Sequence, residues 1–194
     1  MSGFALLTVS DKSGIASFAS GLSELGWVIF ATEGTFEALR DMRISPLRLR
    51  QVRKLAGNVP PLEGGRLKTL SARTMASVLA NLSSEEDKAV LRRERIPAVN
   101  LVVCNFYPFS DVPSVERIDV GGPALAAAAA KNFARVTVVV RPDDYDGVLS
   151  EIRAQGEVSL ERRMHLAAVA LSMVGSYYER VAREVSQGRL SGAT

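Results

Sequence analysis

The chain is poor in cysteine, histidine and lysine. Cys104 is its one thiol, so no disulfide can form within the chain, and a reducing, cytosolic setting is expected. His165 is its one histidine. A metal site needs several clustered ligands, and Cys104 with His165 is too small a set. Both read as packing residues, and neither a metal nor an organic cofactor is expected. No apolar run approaches the ~18 residues of a membrane span. Met1-Ser2-Gly3 leads into a strand-like segment rather than a basic-then-apolar leader. A cytoplasmic location, away from any membrane, is the expectation.

The charge balance excludes another class. The net charge of +3 over 194 residues is not the dense basic footprint of a nucleic-acid binder. Glu85-Glu86-Asp87 closely precedes Arg92-Arg93-Glu94-Arg95, which suits a solvated helix face. A modest positive excess still suits a small anionic ligand. Of 24 basic residues only five are lysine: Lys12, Lys54, Lys68, Lys88 and Lys131. An ammonium can lose its proton at accessible pH and a guanidinium effectively cannot, so each Lys is a candidate for work that Arg cannot do.

What is present reads as α/β, a parallel sheet flanked by helices. Phe4–Val9 is a continuous apolar run of buried-strand length. A polar turn, Ser10–Gly14, leads to a helix marked by Ile15, Phe18, Leu22 and Leu25, with Gly26 as its C-terminal cap. Trp27–Phe30 is the next strand, Thr32–Thr35 the next turn, and Phe36–Met42 a short helix. Pro and Gly break up residues 46–66. Further helices are expected over Thr74–Leu82, Ser84–Arg95, Ala124–Asn132 and from Asp143 to about Arg153. Strands are expected at Leu101–Cys104 and Val136–Val140. Past Gly156, apolar residues from Leu160 to Val185 fall at sevens split into threes and fours: one long amphipathic helix, or two broken near Gly175. The expected division is a nucleotide-binding domain over 1–155 and a helical extension over 156–194 that packs on it or on a partner subunit. Residues 188–194 are expected to fray.

In an open parallel sheet, ligands bind beyond the carboxyl ends of the strands. Ser10-Asp11-Lys12-Ser13-Gly14 and Thr32-Glu33-Gly34-Thr35 both follow strands. Hydroxyls, backbone amides and an ammonium at helix N-termini suit a phosphate, and they equally suit ordinary capping. Gly64-Gly65-Arg66-Leu67-Lys68-Thr69 is either a lid over an anion or a surface loop. Asn105 and Tyr107 follow a strand and either reach a ligand or pack in a turn. Asp119-Val120-Gly121-Gly122-Pro123 opens an alanine-rich helix ending at Lys131. A partly desolvated ammonium gives up its proton more readily, as a catalytic lysine must; a cation at a helix C-terminus is also favoured by the dipole.

These stretches, in this order, resemble the IMP cyclohydrolase domain, with a methylglyoxal synthase-like fold, of bifunctional purine biosynthesis proteins. The matching pieces are Val9–Gly14, Gly34-Thr35, Gly65–Leu70, Val103–Phe109, Ile118–Pro123, Ala128–Asn132 and Pro142–Asp146. The resemblance implies ring closure of 5-formamidoimidazole-4-carboxamide ribonucleotide (FAICAR) to IMP with loss of water. It places Ser10, Asp11, Lys12, Thr32, Gly34 and Thr35 at the 5′-phosphate. Arg66, Lys68 and Thr69 would close over the nucleotide. Cys104, Asn105, Tyr107, Asp119, Val120, Gly121 and Gly122 would be on the base side. Lys131 would transfer protons, with Lys68, Tyr107 and Asp119 assisting. It also implies a homodimer and, since the chain matches only the cyclohydrolase domain, a separate AICAR transformylase as a partner.

The chain departs from the family pattern in three places, one of them the loop at Pro60-Pro61, which differs and carries one extra residue. Glu33 stands where the family has Gly, and a carboxylate there opposes a phosphate unless it points away. Ser71-Ala72 stands where the family has His-Pro. These departures keep two alternatives in view: a cyclase for a purine-analogue precursor, and a non-catalytic nucleotide sensor.

Overall fold

The computed structural model describes residues 2–42, 44–45, 47–58, 67, 69–107 and 113–192. Five strands form one parallel sheet: β1 (Phe4–Thr8), β2 (Val28–Ala31), β3 (Leu49–Gln51), β4 (Leu101–Cys104) and β5 (Thr137–Val139). Their order is β3-β2-β1-β4-β5, which puts the first strand at the centre. Val, Leu and Ile fill the strands because both faces are covered, as a parallel sheet requires.

One face packs under α1 (Ile15–Glu24), α2 (Glu33–Arg40) and α7 (Tyr145–Gln155); Leu7, Ile29, Leu101 and Val139 meet Phe18, Leu22, Leu39 and Val148 there. The other face packs under α3 (Arg53–Ala56), α4 (Ala72–Leu79), α5 (Glu85–Arg93) and α6 (Gly121–Lys131). α8 (Leu160–Ser186) crosses at the β5 edge, laying Ala167 and Ala170 against α6 and β5.

Three expectations change and one alternative is decided. β3 and α3 occupy the stretch read as irregular. α2 begins at Glu33 rather than Phe36, because the Phe36 N–H already bonds the Thr32 carbonyl at 2.7 Å and Gly34 is carried inside the helix. α8 runs unbroken through Gly175, which is the first of the two alternatives expected for this stretch. Ser191 is tied down by a parallel bridge to Ser114, with its N–H on the Pro113 carbonyl at 3.1 Å, so the described end of the chain is not frayed.

Candidate active site

The site is built where β1, β2 and β4 end. After β1 the chain turns through Ser10–Ser13 into α1, entered through Gly14 at φ 69°. Asn105, just beyond β4, holds this turn. Its Oδ1 accepts the N–H groups of Ser10 (2.5 Å) and Asp11 (2.9 Å), and its Nδ2 donates to the Asp11 carbonyl at 3.0 Å. Asp11 in turn accepts the Ser13 N–H at 2.9 Å. Hydrogen bonds from Ser13 hold the Asp11 carboxyl below its ordinary value.

β2 ends on Thr32, whose hydroxyl reaches the Thr8 hydroxyl (3.2 Å) and that of Thr35 (3.4 Å). The Thr35 hydroxyl accepts the Val9 N–H at 3.1 Å, so the turns after β1 and β2 are laced together. The Lys12 ammonium folds back onto the Val9 carbonyl and lies 3.4 Å from that of Ser10. Desolvation there lowers its pKa against a weaker upward pull from Asp11.

α1 and α2 have no side-chain cap. Ser71, Ser84 and Ser159 cap α4, α5 and α8, whereas α3, α6 and α7 also lack a capping side chain. The uncapped first turns leave backbone N–H groups free for an anion, with the helix dipoles behind them. Gly34 has nothing within 4 Å of the position a Cβ would take, so the space over the α2 N-terminus is open. Glu33 is exposed in the first turn of α2 and lines a separate cavity with Gln51 and Arg53. Ser71 serves as the N-cap of α4, accepting the Thr74 N–H at 3.1 Å.

The second half of the site gathers at the start of α6. The Asp119 carboxylate accepts the Gly122 N–H at 2.9 Å and the Tyr107 N–H at 3.4 Å. A methyl added at Gly122 would come to 2.7 Å from the Asp119 carboxylate, so this bond requires glycine. Thr69 is buried, its hydroxyl 3.1 Å from the Cβ position of Gly121. Tyr107 and Val120 are exposed at the rim.

The structure redistributes the expected roles. Both amide atoms of Asn105 are taken up by the Ser10–Asp11 backbone. Cys104 is fully buried with its Sγ 4.0 Å from the Gly122 carbonyl; burial, then the Asp119 charge, pushes its thiol up, and it packs. Lys131 is not brought to the cluster. It is exposed, ten residues along α6 from Gly121, or about 15 Å at 1.5 Å rise per residue. Arg66 and Lys68 lie outside the described residues. One residue was missed: Tyr177 of α8, whose Oη accepts the Asp119 N–H at 2.6 Å while its ring stands edge-on to Phe106 at 5.6 Å. No local signal marks it, because its contact lies 58 residues away. Among the described residues, no three His, Cys, Asp or Glu cluster to hold a metal, and no helix is long and apolar enough to cross a membrane.

The family model for the MGS-like domain matches residues 14–124, and that for the AICARFT/IMPCHase bienzyme matches residues 129–192. The chain is 39% identical over 183 residues to the bifunctional purine biosynthesis protein PurH of Myxococcus xanthus, covering 89% of this chain and 34% of that protein. It is 37% identical over 195 residues to the PurH of Lactococcus lactis subsp. lactis, covering 96% and 37%. The chain thus spans about a third of the length of these curated relatives. The crystal structure of ForH is similar with TM-score 0.83 and 39% identity, over 93% of this chain and 95% of that one.

Proposed function

The chain belongs to the MGS-like domain family, and from that premise we propose that it is an IMP cyclohydrolase closing FAICAR to IMP. The observation that carries the proposal is one of placement. A phosphate cradle (the open N-termini of α1 and α2 with Lys12) sits at the ends of β1 and β2. It is joined through Asn105 to a carboxylate, Asp119, beside Tyr107 and the start of α6.

The cradle would hold the 5′-phosphate and thereby fix the imidazole ring over β4. The carboxamide nitrogen then attacks the formyl carbon of the same molecule, forming the C–N bond. The formyl oxygen leaves as water, taking one proton lost from the carboxamide nitrogen and one from the formamide nitrogen. Because the attack is intramolecular, holding the two groups in contact geometry supplies much of the rate. Asp119 is the acceptor for the nitrogen proton, and the Tyr107 hydroxyl is the donor toward the oxygen. Lys68 is assigned to the same step by the resemblance alone. In one chain Lys131 stands too far along α6 to take part.

The partner is therefore a purine nucleotide, made available in the cytoplasm by a separate formylating enzyme. The chain is proposed to be a homodimer: α8 leaves Leu160, Met164, Leu171, Tyr178 and Val185 exposed along one seam, which a second copy would cover. A monomer by light scattering at micromolar concentration would count against the dimer. The function is tested by following IMP formation from FAICAR spectrophotometrically. Turnover that Asp119→Asn lowers at least a hundredfold, roughly the worth of a general base, supports the proposal. Binding of IMP without turnover in the parent protein would make it a nucleotide sensor.

A further inference from the structure

On the α3–α5 side of the sheet, at the opposite end of β1 from Ser10, lies a cavity of about 580 Å³. Its floor is Phe4 and Phe30, on neighbouring strands, stacked with centroids 6.2 Å apart and planes inclined by 24°. Around the floor stand Arg50 from β3, Lys54 from α3, Lys88 and Arg92 from α5, and Arg95 just beyond it. Five of the twelve lining residues are cations and none is acidic. Glu85, outside the lining, pairs with Lys88 at 2.7 Å and also feels the Arg92 charge. Arg50, Lys54 and Arg95 have no ion pair among the described residues. Like charges gathered in this way repel one another and favour an anion between them.

Arg95 adds an independent sign. At φ 52° it is the one described non-glycine residue with left-handed backbone. It occupies the position after the α5 C-cap, where the Arg95 and Ile96 N–H groups bond back to Arg92 (3.1 Å) and Leu91 (2.8 Å). That turn is the natural place for glycine, which takes the conformation without a Cβ penalty. The chain accepts strain there and gains a fifth cation on the rim.

We propose that this cavity is a second ligand site, apart from the nucleotide site, for a polyphosphorylated small molecule bearing a planar ring. The volume falls within the range of small-molecule sites. Cations drawn from three separate elements suit several anionic groups rather than one. The stacked phenylalanines suit the face of a ring. A volume of this size favours a compact ligand over an extended acidic polypeptide.

The probe is ATP, titrated calorimetrically into the full chain at about 0.1 M salt, where exposed charges are only partly screened. ATP binds, and the Arg50→Gln/Arg92→Gln variant weakens it about tenfold or more, the worth of one or two charge-assisted hydrogen bonds. Asn105→Ala leaves ATP affinity unchanged, which separates this cavity from the nucleotide site. Arg95→Gly melts no lower than the parent, because its backbone strain is relieved, yet binds ATP less tightly. Inorganic triphosphate binds more weakly than ATP. Absence of ATP binding overturns the proposal, as does affinity untouched by Arg50→Gln/Arg92→Gln or abolished by Asn105→Ala. Binding of a polyglutamate peptide where ATP fails would overturn it in favour of an acidic protein partner.

Discussion

Asn105→Ala tests whether the phosphate turn is held from β4. The side chain makes three hydrogen bonds to Ser10 and Asp11, at 2.5, 2.9 and 3.0 Å. Each is worth about 1 kcal/mol net, and because Asp11 is exposed, water replaces part of the loss, leaving about 2 kcal/mol in all. For a domain of this size that lowers Tm by about 4–8 °C. The turn also loses its register against α2, so the affinity for IMP falls about tenfold, or roughly 1.4 kcal/mol. Asn105→Asp makes a sharper comparison. It keeps the one oxygen that accepts both N–H groups, turns the donor into an oxygen facing the Asp11 carbonyl, and sets a negative charge beside the proposed phosphate position. Its affinity therefore drops further than its Tm. Scanning calorimetry and isothermal titration with IMP read both quantities. An Asn105→Ala variant that loses affinity while Tm stays within about 1 °C of the parent would refute the reasoning. It would show that the amide touches the ligand rather than the turn.

Tyr177→Phe removes the acceptor of the Asp119 N–H but keeps the ring against Phe106; kcat should fall several-fold with KM little changed and stability within about 1 kcal/mol. Wild-type kcat in that variant would make Tyr177 a packing residue. Lys131→Ala should leave turnover and IMP affinity intact, given its place at the far end of α6; a loss beyond about tenfold would mean that a second copy brings its Lys131 to the site. Glu151 joins α7 to α8, accepting from Arg162 Nε at 2.6 Å and from the Ser159 N–H at 2.8 Å. Burial pushes its carboxyl up, but Arg162 and Ser159 together hold it below the ordinary 4.5. A lowered folded-state pKa stabilises the protein above 4.5 and stops doing so as pH falls through the lowered value. Glu151→Gln should therefore cost about 1–2 kcal/mol at neutral pH. Its deficit in urea midpoint should close as pH falls below 4.5 and through the lowered value; a deficit independent of pH would exclude the carboxylate as its source.

Local chemistry made much of this legible. β4 is a four-residue apolar run with no competing pattern, and it forms where the run stands. Ser84 and Ser159 announce their helices because a hydroxyl before an apolar periodicity has one good use. β3 was illegible: Leu49-Arg50-Gln51 holds three residues, one of them buried, and becomes a strand only by pairing with Ile29–Ala31. Gly34 reads as a breaker and sits inside a helix, since α2 is held by Leu39 and Thr35 in the core rather than by propensity. In the site, residue types and their strand-end placement were readable. The commitments of Asn105 and Tyr177 were not, because each depends on which strands and helices become neighbours across 95 and 58 positions.

The sheet order has a bearing on how the molecule comes into being. β1 is synthesised before both of its neighbours, yet it needs partners on both sides. β2 arrives early, but the other edge of Ala5–Thr8 waits for Leu101–Cys104. At ordinary translation speeds those intervening residues take roughly 5–20 s to emerge. Through that interval a strand of Ala, Leu and Leu presents an open row of amides and carbonyls, the kind of edge on which chains adhere to one another. The nascent half-domain is thus a natural client for chaperones. Slowing synthesis between β2 and β4 should lower the soluble yield more than slowing it after β5.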